Sequence, residues 1–330
     1  MSVLLSFEKP LAELQARLDE ALAAARAIGL QTSPEADEIR NRLAAERQRV
    51  FSALSPWQKV QLARHPGRPY TRDYIEAFID DFTELHGDRH FADDPAIVGG
   101  VGWLDGRPLV VIGTQKGRDT ASNLACNFGC PFPEGYRKAL RLMQLAAKFR
   151  LPILTFIDTP GAFPGIQGEE RHVAEAIAVN LREMFTLPVP VVSVVIGEGG
   201  SGGALGIGVA NRILVMEYAY YSVISPEGCA AILWKDRSAA PRAAAALKLT
   251  SSDLLALGIA DAVVPEPPGA AHVDPAAAAK LLHAAVTMQF QQLDAMSEVE
   301  LIGQRYEKFR ALGIYDATPP EPVSPPPLKA

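Results

Sequence analysis

Five glycines crowd into the seven positions from 197 to 203, where the sequence is GEGGSGG. Only glycine lets backbone N–H groups approach a ligand this closely, because no Cβ stands in the way. The residues before them, 191–196, form an unbroken apolar run that predicts a strand buried on both faces. The residues after them, 204–210, are small and apolar and predict a short buried helix. The first N–H groups of that helix would face the loop, so the stretch predicts a site for an anion or a developing oxyanion.

A second glycine loop, DTPGAFPG at 158–165, follows another predicted buried strand, LPILTFID. Strands and helices alternate in this part of the chain, and each strand is apolar throughout, which indicates a parallel sheet. The carboxyl ends of parallel strands lie at one edge of a sheet, where ligands bind. Two loops on neighbouring strands could therefore each give an N–H group to one oxygen, as enolate chemistry on a thioester requires.

A different chemistry also fits the first of these loops. Residues Gly197 to Gly202 match the dinucleotide pattern G-x-G-x-x-G, and Glu217 ends the next strand about 20 residues later. That match leaves the second loop unexplained, and the helix predicted after it is short. Ser201 lies at the loop apex without a visible histidine and carboxylate pair, so a small turn residue is favoured over a nucleophile. Spacing alone leaves nucleotide binding and acyl-CoA chemistry both open.

Charged side chains near the predicted strand ends are further candidates. Lys116 and Arg118 follow a strand and could meet phosphates or a carboxylate, although such pairs are often only solvated. Glu169 and Glu170 begin a predicted helix, where carboxylates favour the helix dipole. We therefore assign these two glutamates a structural role rather than a catalytic one.

Candidate metal ligands form no convincing set. His86 and His90 are four residues apart, but Gly87 lies between them and no third ligand is nearby, which predicts a loop. The cysteines form no C-x-x-C pair and are expected to be packed or exposed thiols: Cys126, Cys130 and Cys229. We expect no metal on this chain.

Composition bounds the function class. The chain has 330 residues, of which 48% are hydrophobic and 21% charged, as expected for a globular protein with an ample core. Its net charge of −6 argues against a nucleic-acid-binding role. It contains no apolar run of the roughly 20 residues that span a membrane. The first residues do not resemble a secretory signal, and the three cysteines favour a reducing cytoplasm.

The elements that would position these residues begin with two amphipathic helices, at 8–29 and from Pro34 to about residue 53. They predict a helical hairpin, packed either on a partner subunit or on the chain's own core. A polar connector at 55–70 and a helix at 71–85 are expected next. The prediction continues with two strands at 98–104 and 109–114, joined by an Asp-Gly turn, and a short strand at 221–224. It ends with helices at 239–248, 251–257 and 275–296.

Several stretches together carry a family signature. They are QLARHPGRPYTRDY (61–74), DDPAIVGG (93–100), LDGRP (104–108), QKGR (115–118), PEGYRKALRLMQ (133–144), TFIDTPGAFPG (155–165), VIGEGGSGGALGIGV (195–209) and YSVISPEGCAAILWK (221–235). In these stretches the chain resembles the alpha subunits of bacterial acetyl-coenzyme A carboxylase carboxyltransferases. The resemblance runs from about residue 3 to 316. The paired loops also resemble those of the wider crotonase superfamily, whose oxyanion hole is built from two such loops.

The resemblance implies an α/β fold with a crotonase-like ββα superhelix core and an N-terminal helical hairpin extension. The implied domains are the hairpin at 1–55, the crotonase-like carboxyltransferase domain at 56–296, and a C-terminal segment at 297–330. That last segment ends in a proline-rich tail, ATPPEPVSPPPLKA, which we expect to be disordered.

The resemblance also implies an activity and partners. The family transfers a carboxyl group from carboxybiotin, carried on biotin carboxyl carrier protein, to acetyl-CoA, forming malonyl-CoA for fatty acid synthesis. The alpha chain works with a beta chain that carries a four-cysteine zinc ribbon, usually as an α2β2 assembly. A separate biotin carboxylase subunit consumes ATP and bicarbonate. The alternatives are a stand-alone crotonase-type hydratase or isomerase, which would need a carboxylate in its pocket, and a nucleotide-binding protein.

The same resemblance implies roles for individual residues. Backbone N–H groups of Gly161, Ala162, Gly202 and Gly203 would donate to the biotin oxygen, while the beta chain would serve the thioester oxygen. No side-chain base is required, because the biotin nitrogen takes the proton from the acetyl methyl group. Substrate contacts are expected from a further set: Lys116, Arg118, Phe163, Gly165, Gly199, Gly200 and Ser201.

The sequence departs from the family pattern at a few positions near these residues. Thr114 stands where family members often have histidine, and Ala125-Cys126 replaces a common basic pair. The stretch after Pro164 is GIQGEER rather than the commoner GVGAEER. None of these changes alters the glycines of the two loops.

Overall fold

The computed structural model describes residues 3–313 of the chain. Its strands are β1 (Asp80–Glu84), β2 (Ile97–Leu104), β3 (Arg107–Thr114), β4 (Ile153–Thr159), β5 (Val191–Gly200), β6 (Arg212–Met216), β7 (Tyr220–Ser222) and β8 (Ala262–Val264). Its first helices are α1 (Lys9–Ala27), α2 (Pro34–Ser52), α3 (Pro56–Ala63), α4 (Thr71–Phe78), α5 (Thr120–Ala125), α6 (Pro133–Phe149) and α7 (Ile166–Glu170). The later helices are α8 (Val173–Thr186), α9 (Ser201–Leu205), α10 (Pro226–Trp234), α11 (Ala240–Ala246), α12 (Ser251–Ala256), α13 (Pro275–Leu293) and α14 (Glu298–Arg310).

The strands form one sheet in the order β1-β2-β3-β4-β5-β6-β8, with β7 also paired to β5. β1 and β3 each pair antiparallel with β2, and the pairs from β3 to β8 are parallel. Every residue of β4 and β5 is buried, as a strand covered on both faces by helices requires. The predicted parallel sheet is therefore confirmed. Its carboxyl edge brings together the ends of β4 and β5, which carry the two glycine loops.

The N-terminal hairpin of α1 and α2 packs on the chain's own domain. Its leucine stripe includes Leu11, Leu14 and Leu18, and this cluster continues to Tyr218 after β6. The ring of Phe51 meets that of Tyr218 edge-on at 5.6 Å. Of the two packing arrangements that the sequence left open, the structure therefore shows the one within the chain.

A buried arginine attaches α14 to the sheet. Arg305 is fully buried, and its guanidinium donates to the carbonyls of Met184, Leu187 and Val189 at 2.7, 2.9 and 3.0 Å. It also donates to Oδ1 of Asn211 at 2.6 Å. Burial lowers the pKa of this guanidinium to about 10, so it keeps its charge at neutral pH. The segment from 297 thus includes a docked helix, whereas the proline-rich tail from 317 onward lies outside the described residues.

Several predicted boundaries were wrong. The helix expected at 71–85 ends at Phe78, and the chain then forms β1 along the edge of β2. Gly100 and Gly102 of β2 make this pairing possible, because a Cβ at either position would run into β1. The expected connector at 55–70 contains α3, whose first turn is capped by the hydroxyl of Ser55.

The helix after the first glycine loop was also predicted wrongly. It was expected at 204–210 but spans Ser201–Leu205, because β5 continues through the glycines as far as Gly200. Glu169 and Glu170 end α7 rather than begin the following helix. Among residues 3–313, no helix is both long and apolar enough to cross a membrane.

Candidate functional site

The two glycine loops meet directly at the carboxyl edge of the sheet. Thr159 at the end of β4 pairs with Gly199 near the end of β5. Beyond this pair, Gly203 of α9 lies against the peptide that joins Gly161 to Ala162. A Cβ at Gly203 would overlap the Ala162 nitrogen and the Gly161 carbonyl carbon, so glycine is required here for the loops to touch.

Among the backbone N–H groups that take no acceptor within residues 3–313, three lie where the two loops touch. Two belong to Gly202 and Gly203, which lie in the first turn of α9, where N–H groups have no partner within the helix. The third belongs to Ala162. The N–H of Gly161, by contrast, donates to Oγ1 of Thr159 at 3.0 Å. The junction therefore presents donors from both loops, with Ala162 as the free donor of the second.

An apolar cavity of about 650 Å³ opens beside this junction. Ser201 and Gly202 form one end of it, and hydrophobic side chains cover the remainder: Leu205, Ile213, Tyr221, Val223, Leu254, Leu257, Ile259, Phe309 and Leu312. Ser201 is exposed and has a positive φ of 50°. Within the described residues no histidine hydrogen-bonds its hydroxyl, so the geometry does not make it a nucleophile.

A cluster of buried charges lies beneath the two loops. Nζ of Lys116 is 2.6 Å from Oδ1 of Asp158, at the end of β4, and 2.7 Å from Oε2 of Glu198, within β5. The backbone N–H of Glu198 donates to the same Asp158 oxygen at 2.9 Å. These contacts join the two strand ends through one ammonium group and one peptide N–H.

Further polar residues hold the other oxygen of Glu198. Nε of Arg64, just after α3, lies 2.6 Å from Oε1, and the hydroxyl of Tyr220 donates to it at 2.8 Å. Arg64 also pairs with Glu227 at 2.5 Å. Burial alone would raise the pKa of Glu198, but Lys116 and Arg64 lower it to about 2. This carboxylate is therefore ionised, and both of its oxygens are hydrogen-bonded to protein groups.

The predicted substrate contacts of Lys116 and Arg118 stay predictions. Burial would lower the pKa of Lys116, but the two carboxylates raise it above its usual range, so the ammonium stays charged between them. Arg118 stacks over the ring of Tyr70 at 4.0 Å and pairs with Asp73. In this structure both cations are engaged by protein groups.

The remaining predicted residues surround the loop junction. The ring of Phe163 stacks on that of Phe132 at 4.2 Å between centroids. Gly165 lies against the Phe163 ring, where a Cβ would come within 2.5 Å of it. Gly199 and Gly200 belong to β5, and Gly200 packs on the backbone of Thr159 and Pro160. The structure thus brings these residues together around the contact of the two loops.

Sequence reasoning missed the partners of the loops. Glu198 was noted only as the variable position of a glycine pattern, although an acidic residue at the end of a fully buried strand signals a compensating cation. Arg64 and Tyr220 gave no local signal, because they reach the site from distant parts of the chain. Thr114, a departure from the family pattern, accepts the Asp158 N–H on its hydroxyl at 2.6 Å and so has a structural role.

Other candidate groups have ordinary partners. His86 and His90 lie in a loop, as predicted, and His86 pairs with Asp93 at 2.9 Å. In the described part of the chain, Glu8, His65 and His272 come close enough for one metal ion. Hydrogen bonds account for most of that cluster, including one of 2.8 Å between His272 and Glu8. The three cysteines are free thiols, two of them buried.

Solved structures with this fold are carboxyltransferases and related enzymes. The chain superposes on transcarboxylase 12S with a TM-score of 0.54 and 21% identity, over 67% of this chain and 42% of that one. It superposes on the beta subunit of geranyl-CoA carboxylase from P. aeruginosa with a TM-score of 0.53 and 18% identity, over 83% and 55% of the two chains. A Pseudomonas malonate decarboxylase hetero-tetramer gives a TM-score of 0.55 at 16% identity, over 64% and 85%. The chain therefore has the crotonase-type carboxyltransferase fold.

Sequence comparison is more specific than the fold. The model of the acetyl co-enzyme A carboxylase carboxyltransferase-like family matches residues 4–313. The acetyl-coenzyme A carboxylase carboxyl transferase subunit alpha of Acaryochloris marina is 53% identical over 316 residues, covering 96% of this chain and 97% of that one. Those of Thermus thermophilus and Xanthomonas campestris are 54% and 55% identical, each covering 94% of this chain and 98% of the relative. This chain belongs to the acetyl-coenzyme A carboxylase carboxyltransferase family.

Proposed function

We propose that the chain is the alpha subunit of an acetyl-CoA carboxylase carboxyltransferase. With a beta subunit it would transfer a carboxyl group from carboxybiotin to acetyl-CoA and form malonyl-CoA. The observation that carries this proposal is the junction of the two glycine loops, where Ala162, Gly202 and Gly203 present unpaired N–H groups. The near full-length similarity to chains of that description supports it.

The junction suits the chemistry that carboxybiotin supplies when it is bound, which is a carboxyl group and, after its departure, an anionic ureido oxygen. Ala162 on one loop and the pair Gly202 and Gly203 on the other would donate to that oxygen. Because these donors are held by the sheet, they need no reorganisation as charge develops. A donor of this kind lowers a barrier by about 3 kcal/mol in a water-poor site. The cavity beside Gly202 is lined mainly by apolar side chains, which would help to exclude water once a substrate covers them.

The charge cluster argues against a hydratase or isomerase. That chemistry would need a carboxylate free to move a proton, but Asp158 and Glu198 are bound to Lys116 and to each other. A nucleotide site is also not favoured. Glu217, which completes the dinucleotide pattern in the sequence, accepts the N–H of Glu266 at 3.0 Å and so already has a structural partner.

The proposal includes the partners implied by the family. They are a beta subunit with a zinc ribbon in an α2β2 assembly, biotin carboxyl carrier protein, biotin carboxylase and acetyl-CoA. The relatives' description as a subunit supports the need for a partner chain. Carboxybiotin would arrive on the carrier protein, no metal ion is assigned to this chain, and the reaction would take place in the cytoplasm.

The test is malonyl-CoA formation from acetyl-CoA and carboxybiotin, measured with the purified chain alone and with a candidate beta subunit. We expect activity only in the mixture, because the thioester oxygen would be bound by the partner. Size-exclusion chromatography shows whether the complex has formed. A verified complex without activity, or full activity of this chain by itself, would contradict the proposal.

A further inference from the structure

Lys116 links the two loops that carry the proposed donors. It follows β3, a strand that belongs to neither loop, yet its ammonium reaches one carboxylate at each strand end. Asp158 immediately precedes the loop that contains Ala162, and Glu198 lies five residues before Gly203. The ammonium therefore adds a side-chain link between the two strand ends, beyond the backbone ladder that pairs Thr159 with Gly199.

The two loops are closely packed against each other at the junction. Gly203 already lies against the Gly161–Ala162 peptide without room for a Cβ. The relative position of the donors from the two loops is thus sensitive to small movements of either strand end. Without the ammonium, the carboxylates of Asp158 and Glu198 would face each other across a buried space and repel.

Other contacts keep Glu198 from following such a movement freely. Arg64 and Tyr220 hold its second oxygen, on the side away from Lys116. Repulsion would therefore move the strand ends rather than simply rotate one side chain. Gly129 packs on the aliphatic part of Lys116, where a Cβ would come within 2.6 Å of Cγ, so the lysine stem is itself held in place.

We propose that Lys116 is a positioning residue. It sets the separation between Ala162 on one loop and Gly202 and Gly203 on the other, and it does not contact acetyl-CoA. This inference rests on the proposed function, because it assigns the lysine a role in placing that function's donors. The sequence predicted that Lys116 contacts the substrate directly. We propose instead that it acts through the carboxylates at the two strand ends.

The test compares Lys116→Met with the exposed control Lys148→Met in the assembled complex. We expect kcat of Lys116→Met to fall about 100-fold, the effect of a donor misplaced by about 1 Å, while the KM for acetyl-CoA stays within about twofold. Lys148→Met should retain the wild-type constants. A raised KM with unchanged kcat would overturn the proposal, because it would show a substrate contact.

Two further variants separate positioning from stability. Lys116→Arg keeps a cation between the carboxylates and should recover part of the lost kcat. Lys116→Met combined with Glu198→Gln removes the repulsion and should therefore recover part of the lost kcat together with the melting temperature. If the melting temperature returns and kcat does not, repulsion of the strand ends is not what lowers the rate and the proposal is wrong.

A readout without turnover distinguishes this inference from the proposed function. Hydrogen–deuterium exchange of the wild-type complex and of Lys116→Met would be compared in peptides covering 158–165 and 197–205. We expect faster exchange in both segments of the variant, even if the complex proved to catalyse another reaction. Unchanged exchange in both segments would overturn the inference, whereas an inactive wild-type complex would count against the proposed function alone.

Discussion

Gly203→Ala is the smallest change that should separate the two glycine loops. The added methyl group would overlap the Ala162 nitrogen and the Gly161 carbonyl carbon, both backbone atoms that cannot rotate away. Carbon atoms in contact normally lie about 3.5–4.0 Å apart, so the loops would have to separate by about 1 Å. A misplacement of that size can cost about 100-fold in rate. We therefore expect kcat for malonyl-CoA formation to fall about 100-fold.

A glycine outside the site provides the control. Gly303 is exposed in α14, and an added Cβ there would meet nothing within 4 Å. Gly303→Ala therefore adds the same methyl group to a helix without displacing either loop. Alanine should also fit the helix better than glycine, by about 0.5–1 kcal/mol. We expect this variant to keep its melting temperature and the wild-type kcat.

The assay would follow malonyl-CoA formation by the complex with the beta subunit, with assembly checked by size-exclusion chromatography. Comparing Gly203→Ala with Gly303→Ala at equal complex concentration removes effects of protein yield. Melting temperatures show whether any loss of rate is accompanied by unfolding. If the two variants have equal kcat in intact complexes, close approach of the loops is not needed for turnover and the reasoning fails.

Further predictions concern buried charges. The pKa of Glu198 is about 2 against an ordinary 4.5, so its ionised form contributes about 3 kcal/mol to stability, fully present above pH 4.5 and lost as the pH falls toward 2. Urea unfolding would measure how much lower the free energy of unfolding of Glu198→Gln is than that of the wild type. This difference should shrink between pH 7 and pH 3, and a constant difference would contradict the role assigned to the ionised Glu198. Arg305→Met leaves the three buried carbonyls without this donor and should lower the free energy of unfolding by about 3 kcal/mol or more. The exposed control Arg310→Ala should change it little, and equal effects of the two variants would argue against a docking role for Arg305. Glu8→Gln weakens the contact with His272 and should cost about 1 kcal/mol, seen as faster tryptic cleavage of the N-terminal hairpin. Burial would raise the pKa of Glu8, but hydrogen bonds from His272 and Leu5 outweigh it and lower the pKa. The difference in cleavage between Glu8→Gln and the wild type should therefore become smaller at acidic pH. A difference that does not change with pH would contradict this prediction.

The parts of the fold that the sequence predicts well are those with a local signal. β4 and β5 are largely apolar runs that lead into glycine loops; the start of β5 was predicted correctly, and that of β4 was predicted at Leu151 instead of Ile153. β1, with the sequence DDFTE, has no such pattern and became part of a predicted helix. Its structure depends on pairing with Gly100 and Gly102, which only the assembled sheet supplies. Tertiary pairing here overrides the local preference.

The site also has parts with a local sequence signal and parts without one. Crowded glycines are visible along the chain, so both loops and their meeting at one sheet edge could be predicted. The charge cluster could not, because Glu198 is 134 positions from Arg64 and 82 from Lys116. Nor could the hydrogen bond from Gly161 to Thr159 be foreseen, since it depends on the rotamer of one hydroxyl. Side-chain partners across strands require the register of the sheet, which sequence spacing does not contain.

The loop junction is built from main-chain atoms, and this limits how the protein could escape an inhibitor. A compound whose oxygen occupied the proposed place of the substrate oxygen would bind to amide groups that only a change to proline can delete. Exchanging a side chain would therefore not remove the contacts that the compound makes here. A larger residue at Gly203 could exclude the compound, but it would also push apart the peptides that carry the proposed donors. Under the proposed function, resistance and loss of activity would then arise from the same substitution.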